Sequence, residues 1–151
     1  MKRRRGLSLI ETIASVAIIS FGVAVVIASV PFAMRTWTWS RQTMVASNLA
    51  QRQLSAIVSR GFVATTPAAL AANSPKPALL DSATPVATNT YSFTNVTMGT
   101  GVSVANSLPN GTGRVAIENL SGDFRRVTVT ISWTSGSGTQ NYSCGVVVAN
   151  M

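Results

Sequence analysis

The longest feature of the hydrophobic pattern is an apolar segment near the N-terminus. No charged residue occurs from Thr12 to Met34. A helix of roughly 20 apolar residues is long enough to cross the hydrocarbon core of a bilayer. Four consecutive basic residues, Lys2 to Arg5, precede the segment, and basic residues beside a membrane helix stay on the cytoplasmic side. The pattern predicts one membrane-spanning helix with a cytoplasmic N-terminus.

One carboxylate, Glu11, lies at the start of this segment. A carboxylate in lipid is costly unless its charge is matched. A cleaved secretory signal has an apolar core of about 7–15 residues and a small-residue cleavage site, whereas this segment is longer and has no such site. A plain membrane anchor explains the length of the segment but not Glu11. The simplest alternative for Glu11 is a position near the membrane boundary that water reaches.

Two residues inside the apolar segment weaken a helix. Pro31 removes one backbone donor and crowds the preceding turn, which predicts a kink from about Ile27 to Pro31. Gly22 is the second weak point, and glycine also permits close packing between helices. The alternative is that both residues are simply tolerated, as they often are in membrane helices.

The helical pattern continues beyond the membrane segment. Its apolar residues recur at steps of three and four and form one stripe, and Gly61 is suited to end the helix. Arg41, Arg52 and Arg60 fall outside the stripe, as expected for a solvated face. The stripe consists of Ala46, Leu49, Ala50, Leu54, Ile57 and Val58.

Aromatic and basic residues mark the end of the membrane segment. Arg35, Trp37 and Trp39 follow directly after it. Tryptophan and arginine are typical anchors at the interface between lipid and water. A buried role in a protein core is the alternative for the two tryptophans.

The pattern changes from helical to strand-like after a connecting loop. Residues 62–88 contain four prolines among small residues, which predicts a loop without long helices or strands. The clearest alternation follows in Val127–Thr134 and Tyr142–Ala149, which the turn 135–138 joins as a hairpin. Weaker strands are predicted at 91–98, with a break near Asn95, and at 114–118. One apolar face indicates a sheet packed on a helix from one side, so the fold class is α+β: a long N-terminal helix whose second half packs on a small antiparallel sheet.

Composition and charge argue against catalysis and give only weak support for nucleic acid binding. Histidine is absent, and there are only four acidic residues and one cysteine. The commonest general base and metal ligand is therefore missing, and we expect no enzyme activity, metal or cofactor. The net charge of +8 includes the four basic residues of the leader, and the remaining basic residues are too scattered to argue for DNA alone. Cys144 is expected to be a buried, unreactive thiol, and Arg125 and Arg126 to lie in a solvated turn beside Asp123.

The string from Gly6 to Glu11, GLSLIE, resembles the processing site of type IV pilins and type II secretion pseudopilins. The usual string of that family is GFTLIE, so this chain departs from it at Leu7 and Ser8, with residues of similar character. The resemblance implies that prepilin peptidase cuts after Gly6 and methylates the amine of Leu7. It also implies that Glu11, at the fifth mature position, pairs with that amine in its own or a neighbouring subunit.

The resemblance covers about the first sixty residues and implies a plan for the whole chain. Segments 18–22 and 46–51 are most similar to minor pilins of the V type and minor pseudopilins of the I type. The implied divisions are a leader (1–6), the transmembrane and assembly half of the helix (7–34), its amphipathic half (35–61), a proline-rich loop (62–88) and an antiparallel sheet head (89–151).

Three functions are compatible with these observations. The first is a minor subunit of a type IV pilus, serving pilus biogenesis, adhesion, motility or DNA uptake. The second is a minor pseudopilin of a type II secretion system, and the third is a membrane-anchored periplasmic binding module that does not assemble. For the first two, the expected partners are prepilin peptidase, other pilin or pseudopilin subunits and the inner membrane. The expected location is the inner membrane, with the head in the periplasm, and then a surface pilus or a periplasmic pseudopilus.

Overall fold

The structure is a computed structural model, which describes residues 8–72, 77–98, 101–136 and 138–150. The predicted leader and its cleavage site at Gly6 and Leu7 lie outside the described residues. The chain contains three helices and four strands within the described ranges. They are α1 (Leu9–Val58), α2 (Pro67–Ala71), β1 (Thr90–Ser92), α3 (Val104–Ser107), β2 (Thr112–Ser121), β3 (Phe124–Ser135) and β4 (Gly138–Ala149). This architecture confirms the predicted α+β class.

Helix α1 belongs to two compact units, which divide after Thr38. Every described residue of the first unit is exposed. This part of α1 is long and apolar enough to cross a membrane. The helix continues without interruption through Gly22 and Pro31. A bend at these two residues stays a prediction.

Hydroxyl groups in the apolar half of α1 bond to the helix itself. The Thr12 hydroxyl donates to the Leu9 carbonyl at 2.8 Å, and the Ser29 hydroxyl donates to the Val26 carbonyl at 2.7 Å. Polar groups in lipid are tolerated when they find such internal partners. The serines and threonines of this segment are therefore compatible with a membrane helix.

The second unit contains the rest of α1 and the sheet, whose strand order is β1-β2-β3-β4 with every pair antiparallel. A two-residue turn joins β2 to β3, where the outermost pair is Ser121 with Phe124. Strands β3 and β4 also pair as a hairpin, with Ser135 and Gly138 as the outermost pair. The two clearest predicted strands are confirmed as β3 and β4. The prediction for 91–98 was wrong in extent, because β1 ends at Ser92 and Met98 forms only an isolated bridge with Val102.

The predicted apolar stripe of α1 supplies one side of the core. Ala46, Leu49, Ala50 and Ile57 are buried and belong to one hydrophobic cluster with inward residues of the sheet such as Val129. Burying one such aliphatic side chain contributes about 1.5–3 kcal/mol, so this cluster is the main source of stability of the second unit.

Two residues of the stripe region depart from the prediction. Val58 is 40% exposed and lies at the rim, because α1 ends there. Gln53 is fully buried instead. Its side-chain Nε2 donates to the carbonyl of Leu79 in the connecting loop, so a polar residue links the helix to that loop.

The predicted end of the helix is confirmed within three residues. Helix α1 ends at Val58, and Gly61 follows with a φ of +78°. Glycine adopts this left-handed conformation at low cost. The chain can therefore turn away from the helix axis at this point.

Candidate functional site

The first turn of α1 is the part of the described chain nearest to the predicted processing site. Ser8 precedes the helix, and its hydroxyl oxygen accepts a hydrogen bond from the Glu11 backbone N–H at 3.3 Å. The Ser8 carbonyl accepts from the same N–H at 3.0 Å and from that of Thr12 at 3.2 Å. A serine in this position satisfies donors that the helix itself cannot.

The spacing of Ser8 and Glu11 is the one that a capping box requires, a serine followed three residues later by a glutamate. The sequence prediction overlooked this signal, although it could have placed the helix start at Leu9. The helix thus begins two residues after the predicted new N-terminus at Leu7. The contacts of Ser8 order the first turn, which carries Glu11.

Glu11 is exposed, and its carboxylate has no ion-pair partner in the described part of the chain. The next charged residue along the helix is Arg35. Near a helix N-terminus a carboxylate also interacts favourably with the helix dipole, by about 0.3–1 kcal/mol. That interaction is weak and does not match the charge of a carboxylate that enters lipid. The side chain is available for a partner outside the described residues.

Three small or hydroxyl residues and one large apolar residue share the helix face of Glu11. At 100° per residue, Gly22, Ser29 and Thr36 lie within about 20° of Glu11 around the axis, and so does Ile18. Small residues let helix backbones approach closely in a membrane. Glu11 and Gly22, two of the predicted site residues, therefore belong to one face.

The predicted interface anchors are exposed. Trp37 is 68% exposed and Trp39 is 48% exposed, and Arg35 is exposed as well. The two tryptophans point about 160° apart around the helix. They lie on nearly opposite sides of the helix at the end of the apolar segment, and both are exposed and not buried in the core. This placement is compatible with the predicted anchor role.

A second cluster, around Arg125, was missed in the sequence. The prediction of a turn was wrong for both arginines, since Arg125 and Arg126 lie in β3. Arg126 is exposed, as predicted, but Arg125 is half-buried. Its Nη1 donates to the carbonyls of Phe62 at 2.8 Å and Thr65 at 2.9 Å, and its Nε donates to the Asn119 side chain at 3.0 Å. The guanidinium also lies 4.3 Å from the centre of the Phe62 ring, a cation–π contact. Arg125 therefore holds the segment after α1 against the sheet.

Two acidic side chains in the described part of the second unit have local partners. Asp81 accepts hydrogen bonds from the Ser92 hydroxyl at 2.6 Å and the Asn95 backbone at 3.0 Å, so it organises a turn. Glu118 and Arg126 form an exposed pair at 3.6 Å. No group of three metal-type ligands occurs within the described ranges.

Cys144 is only partly buried, so the expectation of a fully buried thiol was wrong in degree. The side chain lies on the same face of β4 as Tyr142 and Val146, as predicted, and all three are half-buried at the edge of the sheet. Loss of hydration on burial raises the pKa of the Cys144 thiol. The thiol is therefore less reactive than an exposed one.

Comparison with known proteins identifies the N-terminal segment. Residues 1–27 match the family model described as the prokaryotic N-terminal methylation motif. The searches of curated proteins and of solved structures found no significant match to the chain. The family match thus includes Ser8 and Glu11 and does not extend to the sheet.

Proposed function

We propose that this chain is a minor structural subunit of a type IV pilus. The proposal starts from the N-terminal signature of type IV pilins and pseudopilins that the chain carries. Prepilin peptidase removes residues 1–6 by cutting after Gly6 and methylates the amine of Leu7. The processed subunit then leaves the inner membrane and assembles with other pilin subunits through α1. The head, residues 89–151, is displayed on the filament.

The observation that carries this proposal is the exposed, unpaired carboxylate of Glu11 on an otherwise apolar membrane helix. A permanent membrane anchor gains nothing from such a charge, because lipid offers it no partner. A filament offers one, since the methylated N-terminal amine of a neighbouring subunit carries the opposite charge. Glu11 therefore favours assembly over a plain anchor.

The described part of the first unit supports the same role. Its apolar side chains are exposed all round, and examples are Ile18 at 73% and Phe21 at 73%. In the membrane, lipid covers these side chains. In a filament, neighbouring helices cover them, and the small residues at Gly22 and Ser29 allow close approach.

The test is mass spectrometry of the mature N-terminus combined with analysis of sheared surface filaments. We expect an N-methylated Leu7 and recovery of the chain in the filament fraction. Replacing Gly6 by a bulky residue, Gly6→Leu, should block cleavage and leave an unprocessed inner-membrane form. Substitution in the leader away from the cleavage site, Arg3→Lys, is the matched control and should leave cleavage unchanged.

Two results would contradict the proposal. An intact Met1 on the wild-type chain would support a membrane-anchored module that does not assemble. A methylated Leu7 on a chain that stays in the periplasm and depends on secretion machinery would support the pseudopilin alternative.

A pilus that serves DNA uptake gives one further expectation. Binding of DNA by the chain should then weaken as the salt concentration rises.

A further inference from the structure

We propose that the free edge of β4 is an interaction surface, which accepts an extended, uncharged strand from a different membrane-anchored subunit. The proposal rests on the proposed function, because it takes the chain to be part of a filament. It adds a contact in the head to the contacts expected of α1.

The two edges of the sheet are not equivalent. Strand β1 has three residues, and its outer side is closed by the preceding loop. The Asp81 N–H donates to the Ser92 carbonyl at 2.8 Å, and the Val86 N–H donates to the Thr90 carbonyl at 2.8 Å. Strand β4, at the other edge, has twelve residues.

The register determines which groups of β4 face outward. In a hairpin with a two-residue turn, the residues next to the turn form a hydrogen-bonded pair, here Ser135 and Gly138. Hydrogen-bonded and non-bonded pairs then alternate along an antiparallel ladder, so even-numbered residues of β4 bond to β3. The backbone groups of the odd-numbered residues point away from the sheet, and no described residue pairs with them. They are those of Thr139, Asn141, Ser143, Gly145, Val147 and Ala149.

None of the usual features that block edge pairing is present in β4. Proteins protect an open edge with charged side chains, prolines, bulges or a covering segment. Strand β4 has no charged residue and no proline. Its twelve pairs with β3 run without a register shift, whereas β2 and β3 show one between Asn119 and Ser121. An unprotected edge of this length accepts a further strand through its main chain.

A second copy of the chain does not fit this edge. Head-to-tail pairing would need the outer side of β1, which the loop already occupies. Antiparallel pairing of β4 with itself has a two-fold axis perpendicular to the sheet. That axis reverses the part of α1 that shares a hydrophobic cluster with the sheet, whereas subunits drawn from one membrane into one filament all point the same way. Parallel pairing of two β4 edges needs a rotation about the strand direction. It would put the α1 segments of the two copies on opposite faces of the joined sheet, so that both could not take part in one assembly of α1 helices. The occupant is therefore a different subunit.

The chemistry of the edge describes the strand that it accepts. The residues that carry the outward backbone groups are threonine, asparagine, serine, glycine, valine and alanine, and none of them is charged. A partner strand rich in uncharged, β-branched residues matches this surface. A charged strand would find no opposite charge on β4 with which to pair.

The test places a photo-crosslinking residue, p-benzoylphenylalanine, at Val147, which is 49% exposed, in full-length chain within filament-producing cells. We expect an adduct with another protein that has the N-terminal methylation motif, at a peptide of uncharged, strand-forming residues. Ser143→Pro removes one outward N–H and should reduce the adduct by about tenfold or more, the effect of an unpaired partner carbonyl. Ser143→Thr keeps that N–H and should leave the adduct unchanged.

A second pair of variants keeps the test valid if the proline variant does not fold. Ser143→Lys adds a charge at the edge and should also reduce the adduct. Thr130→Lys adds the same charge on the same face of the central strand β3, opposite Ser143, and should not. Equal adduct yield from the wild type, Ser143→Pro and Ser143→Lys would overturn the proposal.

Other outcomes identify other occupants. Suppose that β4 pairs antiparallel with β4 of a second copy and uses all six outward residues. Cys144 would then lie opposite Cys144 of that copy, and the distance between their Cα atoms would be within the range for a disulfide. A disulfide-linked homodimer after mild oxidation would therefore refute the different-subunit occupant. Filaments that contain the processed chain but give no adduct would refute the β4 proposal alone. Absence of the processed chain from filaments would refute the proposed function and, with it, this occupant.

Discussion

Glu11 and Ser8 act together at the scale of single residues. The Ser8 hydroxyl and carbonyl both accept from the Glu11 N–H, which orders the first turn of α1. The carboxylate of Glu11 then projects from a helix that has no other charge until Arg35. The local structure thus offers an unmatched negative charge near the proposed new N-terminus.

We expect Glu11→Ala to leave processing largely intact and to impair assembly. Without the carboxylate, the methylated amine of a neighbouring subunit loses its partner in an apolar setting, where an unpaired charge is costly. The measurement is the fraction of processed chain in sheared filaments. Glu11→Gln should behave like the alanine variant, because it keeps the size but not the charge. Ser15→Ala, one turn along the same face, is the control, and normal filament incorporation of Glu11→Ala would refute the pairing role.

We expect Cys144 to react with iodoacetamide more slowly in the folded chain than in the urea-unfolded chain. The thiolate is the reactive form, and burial raises the pKa of this thiol, so less thiolate is present at a given pH. The rate in the folded chain should rise with pH through a midpoint above that of the unfolded chain. A folded midpoint at or below the unfolded one would contradict the partial burial of Cys144.

At the scale of elements, β2 depends on a glycine beneath an aromatic ring. A Cβ atom on Gly113 would lie 2.7 Å from the ring of Phe93, which is fully buried. The Phe93 N–H also donates to the Gly113 carbonyl at 3.0 Å. The glycine lets the ring lie flat against the backbone of β2, where the core meets the end of β1.

We expect Gly113→Ala to destabilise the head by about 1–3 kcal/mol, the usual cost of overpacking. Thermal unfolding of the full chain in detergent, followed by near-UV circular dichroism, measures the effect. Gly122→Ala is the matched control, because no atom lies within 4 Å of its added Cβ. Equal unfolding temperatures for the two variants would show that the Phe93 ring moves aside freely.

At the scale of the whole molecule, the second unit is joined across long sequence distances by a few polar contacts. Arg125 reaches back to Phe62 and Thr65, and Gln53 reaches forward to Leu79. Both contacts involve backbone carbonyls of connecting segments. They fix the loops that leave and follow α1 against the common hydrophobic core.

We expect Arg125→Ala to destabilise the second unit by about 1–3 kcal/mol, because it removes the donor to the Thr65 carbonyl and the contact with the Phe62 ring. The Phe62 carbonyl keeps a donor in the Thr65 N–H at 3.1 Å. The adjacent Arg126→Ala should cost no more than about 1 kcal/mol, since its pair with Glu118 is exposed. Urea unfolding of the full chain in detergent compares the two. A larger effect at Arg126 would contradict the role given to Arg125.

Features that depend on residues close together in the chain could be predicted from the sequence, whereas features that depend on contacts between distant residues could not. The membrane segment, the helical stripe and the hairpin of β3 and β4 are repeated local patterns, so they could be predicted. The extent of β1 could not, because Phe93 leaves the strand to enter the core, and Val96 and Met98 are buried without strand pairing. At the candidate site, Glu11 was found from its charge, whereas the capping role of Ser8 was overlooked although its spacing was visible.

The amino-acid sequence by itself determined the fold class: an apolar helix with one carboxylate after a basic segment, followed by an amphipathic helix and an alternating sheet. These features depend on residues that are close in the chain, and hydrophobic periodicity records them directly. Only the tertiary structure decided that Arg125 binds the carbonyls of Phe62 and Thr65, that β1 is closed by its own loop, and that the outer edge of β4 is open. The physical reason is that strand order and long-range hydrogen bonds depend on which segments pack together, and no local pattern specifies that choice.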